Sequence, residues 1–416
     1  MAGRASEKTV ALPDLPEVEP GAGFGQLAGT RVLDLSTSIA GPYAGMLLGD
    51  LGAEVVKVER PGGDDARAWG PPFLDGESLW FIAVNRNKKS IALDYAWPSG
   101  AAVLRRLIGE ADVLLLNQPR RVLEKLGLAP DALTQSFPRL VYVAVTGFGL
   151  TGARAERTCY DLIAEGWSGV MDLTGPADAE PQKIGAPAAD MLAGQDAALA
   201  AVAALLERER TGRGRIIDVA LVDSMTRFLA CRIVPYLGSG EVPTRSGGKD
   251  SVIAIYQAFE TVDEPLTLAL GNDGIWRRFW AAVGDGAVGD DAGFATNAMR
   301  RARRQEIVAR IQAILRTRPR DHWLEVLRAA RVPAGPINRI DEVVADPELR
   351  RHGLFYNLRS DRGLVPLVGT GFQIDGHANV PRMPPPRLGE HTADVLEEWI
   401  GLDRQGLQDL VDANDA

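Results

Sequence analysis

The sequence predicts an α/β fold: a Rossmann-like large domain with a parallel sheet, followed by a smaller α+β domain. Three observations predict it. Short β-branched runs alternate with amphipathic stretches from Arg31 to Ala220, the rhythm of repeated βαβ units. A Gly- and Ser-rich polar stretch, Gly238-Ser-Gly and Thr244 to Asp250, then interrupts the pattern. Beyond it strand candidates become sparse and helical periodicity dominates. A chain of 416 residues is past the size at which one core keeps growing, so a division into domains suits its length.

Arg31-Val-Leu-Asp-Leu-Ser reads as the first strand, a Gly-Pro-initiated amphipathic stretch from Gly41 to Leu51 as the helix after it, and Glu54-Val-Val-Lys-Val-Glu as the next strand. The rhythm continues through Ser90-Ile-Ala-Leu-Asp, the helix Ala101 to Glu110, Asp112-Val-Leu-Leu-Leu and Leu140-Val-Tyr-Val-Ala-Val. Leu192, Leu199, Val202 and Leu206 fall near helical spacing within Ala188 to Arg210, with Arg208 and Arg210 in the last turn and Gly212 just past it. Arg215-Ile-Ile-Asp-Val-Ala is a further strand and leads into a helix from Asp223 to Ile233. In the second domain Pro265-Leu-Thr-Leu-Ala-Leu reads as a strand and Ile275–Val283, Met299–Thr317 and His322–Ala330 as helices, with Val332-Pro-Ala-Gly-Pro-Ile as the exit strand. Pro381 to Pro386 reads as a linker and Thr392 to Ile400 as a last helix. The expected division is a mobile N-terminal arm over 1–26, the large domain over 27–237, the small domain over 238–340, and a linker returning to the large domain over 341–416.

Composition narrows the function. The net charge of -9 disfavours nucleic-acid binding, which wants a basic face. The two cysteines, Cys159 and Cys231, have no CxxC spacing and suit a reducing, cytoplasmic setting. All four histidines (His322, His352, His377, His391) lie late in the chain without paired spacing, so no metal is expected. The first residues lack an apolar h-region, and no apolar run approaches the length that spans a bilayer, so no membrane partner is expected.

Gly147-Phe-Gly-Leu-Thr-Gly matches a dinucleotide fingerprint directly after a strand, which keeps a nicotinamide-dependent dehydrogenase among the alternatives. Its context argues for an active-site loop instead, because the charged connector Ala153-Arg-Ala-Glu-Arg-Thr follows it and the strand before it is a late one. Basic groups cluster near strand ends at Arg60, at Arg86 with Lys88 and Lys89, and at Arg120, Arg121 and Lys125. Such groups suit a phosphate-bearing carrier, or are simply solvated surface charge. Asp190 stands at the start of the Ala-rich helix. One reading makes it an N-cap whose carboxylate accepts backbone N–H bonds, and the other a catalytic carboxylate kept ionised by the helix N-terminus. Asp161 carries the same two readings.

Taken in order from Leu27 to Leu402, a set of short segments is similar to the class III CoA-transferase family, which includes formyl-CoA transferase, carnitine CoA-transferase and α-methylacyl-CoA racemases. They are Gly29-Thr-Arg-Val-Leu-Asp-Leu, Ala40-Gly-Pro, Leu51-Gly-Ala-Glu-Val-Val-Lys-Val-Glu and Asn85-Arg-Asn-Lys-Lys-Ser-Ile-Ala-Leu-Asp, then Thr146-Gly-Phe-Gly, Thr211-Gly-Arg-Gly, Val332-Pro-Ala-Gly-Pro, Asp346-Pro-Glu-Leu and Leu388-Gly-Glu-His-Thr. The resemblance implies that coenzyme A moves from an acyl-CoA thioester to a free carboxylic acid, with Asp190 in Ala186-Pro-Ala-Ala-Asp-Met as nucleophile. It further implies that Ser38, Ile39 and Ala40 line the thioester and CoA, that Arg60, Leu93, Asn117 and Lys125 contact CoA, and that Tyr160 and Asp161 flank the site. No cofactor is implied beyond the CoA thioester, which is substrate, and the chain would form an interlocked homodimer.

The sequence departs from formyl-CoA transferase at Thr37 and Ile39, where that enzyme has histidine and glutamine, and at Gln118-Pro-Arg after Asn117. Ser246-Gly-Gly-Lys is the nearest counterpart of the family's Gly-rich catalytic loop. An acyl-CoA racemase is the alternative within the family. It calls for a histidine ahead of the strand Leu140 to Thr146, and this chain has none before His322.

Overall fold

A computed structural model describes residues 14–403 and 405–406. They fold into two compact units: one holds the described residues through Ser168, then Gly185–Phe228 and those from Asp346 on, and the other holds Gly169–Ile184 and Leu229–Ala345. The chain changes unit after Phe228, one helix earlier than the composition shift at Gly238 suggested, because the helix Ala230–Ser239 belongs with the residues after it. The excursion of Gly169–Ile184 into the second unit leaves no compositional mark.

The first unit is organised by a six-stranded parallel sheet. Its strands are β1 (Arg31–Asp34), β2 (Glu54–Glu59), β3 (Lys88–Ala92), β4 (Val113–Leu116), β5 (Val141–Thr146) and β6 (Ile216–Ala220), in the spatial order β3-β2-β1-β4-β5-β6. Central strands flanked on both faces by other elements must be apolar on both sides. Val113-Leu-Leu-Leu and Val141-Tyr-Val-Ala-Val meet that condition and are buried throughout. The order reverses between β1 and β4, and the crevice beyond the carboxyl ends of such strands is where parallel sheets bind ligands.

Helices cover the sheet and shape its switch point. α1 (Ala40–Asp50) leaves β1 and crosses to β2, α2 (Pro98–Glu110) buries Val103, Leu104, Leu107 and Ile108 on one face, and α3 (Asp161–Ser168) follows the loop after β5. α4 (Ala188–Thr211) is a 24-residue helix whose small buried residues, Ala189, Ala193, Gly194, Ala197 and Ala201, let it lie close to α1. A Cβ on Gly194 would stand 2.6 Å from the Ala40 carbonyl oxygen, so only glycine permits this approach. By length and composition α4 could cross a membrane, contrary to the expectation that no run comes near it. However, 44% of its apolar window is buried within the fold.

The unit is completed from its far end. Phe355–Ser360 and Gly363–Val368 form a hairpin inside the stretch 341–416 that was expected to be linker, Gly363 and Pro366 being residues that strands disfavour. Glu17 and Val18 pair parallel to its first strand, at Asn357 and Leu358. That corrects the expectation of a mobile arm for residues 14–26: Val18 packs against Tyr356 and Leu358, and Asn379 accepts the Phe24 N–H at 3.1 Å. The remainder of the expected arm, 1–13, lies outside the described residues. The helix Thr392–Ile400 returns to the main core through Val395, Leu396 and Trp399.

The second unit has a three-stranded antiparallel sheet, Tyr256–Phe259, Leu266–Ala269 and Ala334–Pro336, packed on helices rich in large aromatics. Trp276, Phe279, Trp280 and Phe294 form its centre. The expected helix Met299–Thr317 is two, Asn297–Ala302 and Arg304–Leu315, broken at Arg303. Ser246-Gly-Gly-Lys lies in this unit, with Gly247 and Gly248 at φ +64° and +75°.

Candidate active site

The turn after β1 stands at the reversal of strand order, and nearly every backbone polar group in it is tied by a side chain. The Leu35 carbonyl accepts from Gln118 at 2.9 Å, and the Ser36 N–H donates to Asp34 at 2.9 Å. Lys57 donates to the Ser36 carbonyl at 2.7 Å. Asn117 accepts the Thr37 N–H at 3.1 Å and donates to the Thr37 carbonyl at 2.8 Å. Asp64 accepts the Ser38 N–H at 3.0 Å. Ser38 holds φ at 69°, a left-handed value uncommon outside glycine. The N–H groups of Ile39, Ala40 and Gly41, which open α1, then have no acceptor among the described residues. Such groups at a helix start attract developing negative charge.

The charges beneath this turn are buried in pairs. Lys57 meets Asp64 and Lys88 meets Asp34, each at 2.9 Å with all four side chains closed to solvent. Burial pulls the Lys88 ammonium down to about 8, against the opposing pull of Asp34.

Asp190 sits in the first turn of α4, but it is not the cap. Pro187 occupies the N-cap position and offers no side-chain acceptor. The capping oxygen comes from Asp161 at the start of α3, which accepts the N–H groups of Ala189 at 2.8 Å and Asp190 at 3.2 Å. The Asp190 carboxylate is left without a hydrogen-bond or ion-pair partner among the described residues. Burial, with the Asp161 charge beside it, pushes its pKa up to about 7. A carboxylate raised in this way is more basic, hence a better nucleophile once ionised.

Pro187 and Met191, on either side of Asp190 in sequence, line a cavity of 710 Å³ together with Ile39, Tyr43, Gln195 and Arg86. Most of its wall is apolar, and burial pushes the Tyr43 phenol up while Gln195 hydrogen-bonds it. Ile39 thereby shares this cavity with the residues on either side of Asp190, and the Ala40 carbonyl lies against Gly194 one turn further along α4.

The other expected residues scatter. Arg60 is exposed after β2 and engages Asp65 and the Gly63 carbonyl. Leu93 packs its side chain against the core, and Lys125 is exposed at the end of the helix Arg120–Lys125. Tyr160 is 66% exposed just ahead of α3. Asn117 bonds both backbone groups of Thr37 and so shapes the turn after β1. Of the basic clusters, Arg86 and Lys88 are internal ion-pair partners, which removes them as surface contacts for a phosphate. The Gly147 motif fails as a dinucleotide site, because the residues after Gly152 form turns and no helix opens before Asp161. Sequence reasoning missed Lys57, Asp64, Tyr43 and Gln195. The one signal was a lysine in the middle of the apolar run Val55-Val-Lys-Val.

A six-stranded parallel sheet with a switch point, and a buried carboxylate left partnerless among the described residues at the start of α4, define an α/β enzyme site, and the family model for CoA-transferase family III matches residues 27–392. The chain belongs to that family and is a CoA-transferase. It is 41% identical to a succinate–glutarate CoA-transferase of Agrobacterium fabrum, over 94% of this chain and 99% of that one. It is 34% identical to the human succinyl-CoA:glutarate CoA-transferase, over 93% and 89% of the two chains. The crystal structure of a CAIB/BAIF family protein from Brucella suis superposes with a TM-score of 0.79 at 40% identity, covering 90% of this chain and 99% of that one.

Proposed function

We propose that Asp190 is the nucleophile that carries CoA from an acyl-CoA thioester to a free dicarboxylic acid of the succinate or glutarate class. The observation that carries this reading is the Asp190 carboxylate, unpaired among the described residues and raised to about 7, between two residues that line an apolar cavity. Its oxygen attacks the thioester carbonyl and expels CoA thiolate, forming an aspartyl-acyl anhydride. The thiolate then attacks the Asp190 carbonyl carbon and releases the donor acid, leaving an aspartyl-CoA thioester. The acceptor carboxylate attacks that carbon in turn, and the released thiolate closes the cycle on the acceptor's acyl carbon. Each tetrahedral oxyanion needs N–H donors already in place, and the α1 start at Ile39 and Ala40 supplies them. The substrate class is supported by relatives named for succinate and glutarate.

Self-association into an interlocked homodimer, in the cytoplasm, completes the reading. Leu199 and Leu206 on α4, each 70% exposed, support a partner surface. Incubation with succinyl-CoA followed by hydroxylamine trapping and peptide mapping tests the mechanism. A hydroxamate on Asp190 is the expected result. No adduct at Asp190 under conditions in which CoA is transferred would overturn its role as nucleophile.

The carboxylate pair also sets the expected response to pH. Asp190 must be ionised to attack, so kcat/KM for succinyl-CoA is expected to climb about tenfold from pH 6 to pH 8, with a midpoint near 7. Asp161→Asn keeps an oxygen for the two N–H groups but removes the neighbouring charge. The midpoint is then expected to move to lower pH by at most about a unit, since burial is the larger cause. A pH–rate profile of each protein reads both.

A further inference from the structure

We propose that Asp64 and Lys57 are positioning residues: their buried ion pair holds the turn after β1 in the one conformation that aims the Ile39 and Ala40 N–H groups at the carbonyl reacting with Asp190. The proposal rests on the transferase reading given above.

The geometry supports it link by link. Asp64 accepts from Ser38 with both oxygens, at 3.0 and 3.2 Å, and from Ala66 at 3.0 Å. Its own N–H is held by Glu59 at 3.0 Å, so the loop after β2 that carries it is anchored to the sheet. Lys57 joins this acceptor at 2.9 Å to the Ser36 carbonyl at 2.7 Å, so one ammonium ties both ends of the turn. Asp34 lies directly across from Lys57 in the β1–β2 ladder and pairs with Lys88, which makes the charges alternate beneath the turn.

The conformation being held is one the chain would leave if released. A left-handed serine costs on the order of 1 kcal/mol and persists only when its surroundings overdetermine it. The Ser38 side chain itself has no hydrogen-bond partner among the described residues, so the cost is met through its N–H alone. Without that bond Ser38 relaxes toward a right-handed value, and the peptide between Ser38 and Ile39 turns with it. Ile39, just after that peptide, lines the same cavity as Pro187 and Met191, and Ala40 follows it against Gly194 of α4, so the rotation re-aims donors on the side of α1 that faces the start of α4. Transition-state charge is sensitive to such donors at the level of tenths of an ångström, whereas substrate binding is not.

The test compares wild type, Asp64→Asn and the double variant Asp64→Ala/Lys57→Met in steady-state transfer from succinyl-CoA to glutarate, with circular dichroism and thermal melts on each. Removing both charges leaves no unpaired ion in the interior, so the double variant is expected to fold. Its kcat is expected to fall about 30-fold while KM for succinyl-CoA stays within about threefold. Asp64→Asn keeps an acceptor for Ser38 but loses the charge, and is expected to lose about tenfold in kcat. A folded double variant with wild-type kcat overturns the proposal, as does a loss that simply follows the unfolded fraction. If the double variant does not fold, Asp64→Asn decides, and wild-type kcat in that protein overturns the proposal equally. A wild type that moves no CoA from succinyl-CoA to glutarate sinks the proposed substrate class and this proposal together, whereas an active wild type beside an equally active variant sinks this proposal alone.

Discussion

Asp190→Asn is expected to reduce CoA transfer by about 10⁴-fold or more while making the folded protein more stable at alkaline pH. The two effects share a cause. Asparagine has no carboxylate to form the anhydride, so the covalent route closes, and hydroxylamine trapping of the variant is expected to leave no mark at residue 190. The stability effect follows from proton linkage. The folded pKa of Asp190, about 7, lies above the ordinary carboxylate value of 3.8, so the native state holds this proton more tightly than the unfolded chain does. The favourable contribution is full below the ordinary value and is lost as pH rises through about 7. At pH 8 the buried charge therefore opposes folding, on the order of 2 kcal/mol after allowance for solvent reaching the cavity. Asparagine removes that cost. Thermal melts of wild type and variant are expected to diverge at pH 8 in favour of the variant and to coincide near pH 4. Coincident melts at both values would show that Asp190 is not held in a desolvated state.

The heaviest loss of stability is expected at another buried pair. Asp50, at the end of α1, receives the Arg86 guanidinium on both oxygens at 2.9 and 2.6 Å, and Asn87 adds a third bond at 2.8 Å. Neither side chain of the ion pair reaches solvent appreciably, at 3% and 1% exposure. Asp50→Ala would leave a guanidinium inside the fold with only the Val368 carbonyl to receive it, at 2.7 Å. A loss of about 3–5 kcal/mol is expected, read as a lower midpoint in urea unfolding. The Arg86→Leu/Asp50→Ala protein is expected to recover most of it, because no ion then remains unpaired. A double variant as unstable as the single one would show that the hydrogen bonds of Asn87 and Val368, and not the charge, carry the stability. Arg86 also faces the cavity beside α4, so the single variant is expected to lose transfer activity as well.

These two sites show how far the sequence could be read. Asp190 was legible as a special carboxylate only through the resemblance. From its position alone it looked like an N-cap, and the structure gives that work to Asp161. No local rule reaches across the loop and helix between them, because a cap can come from any element that folds against the helix end. Arg86 and Lys88 looked like candidate phosphate ligands in a basic run, Asn85-Arg-Asn-Lys-Lys. They are instead turned inward, since Asp50 and Asp34 wait there from elements far earlier in the chain. The hairpin Phe355–Ser360 with Gly363–Val368 was hidden for a related reason, its edge being covered by the two-residue strand Glu17–Val18 from the other end of the chain.

Consecutive positions alone specify the run of parallel strands from Arg31 to Ala220, the helices between them and the family to which the chain belongs. Those features rest on local periodicity, turn residues and short ordered segments. Long-range packing settled the rest: which carboxylate caps and which is left bare, which lysines are interior, and how the turn after β1 is held. Each of these depends on desolvation and on partners distant in sequence, and the same residue letter stands for a solvated surface charge or a buried reactive one until the fold closes over it.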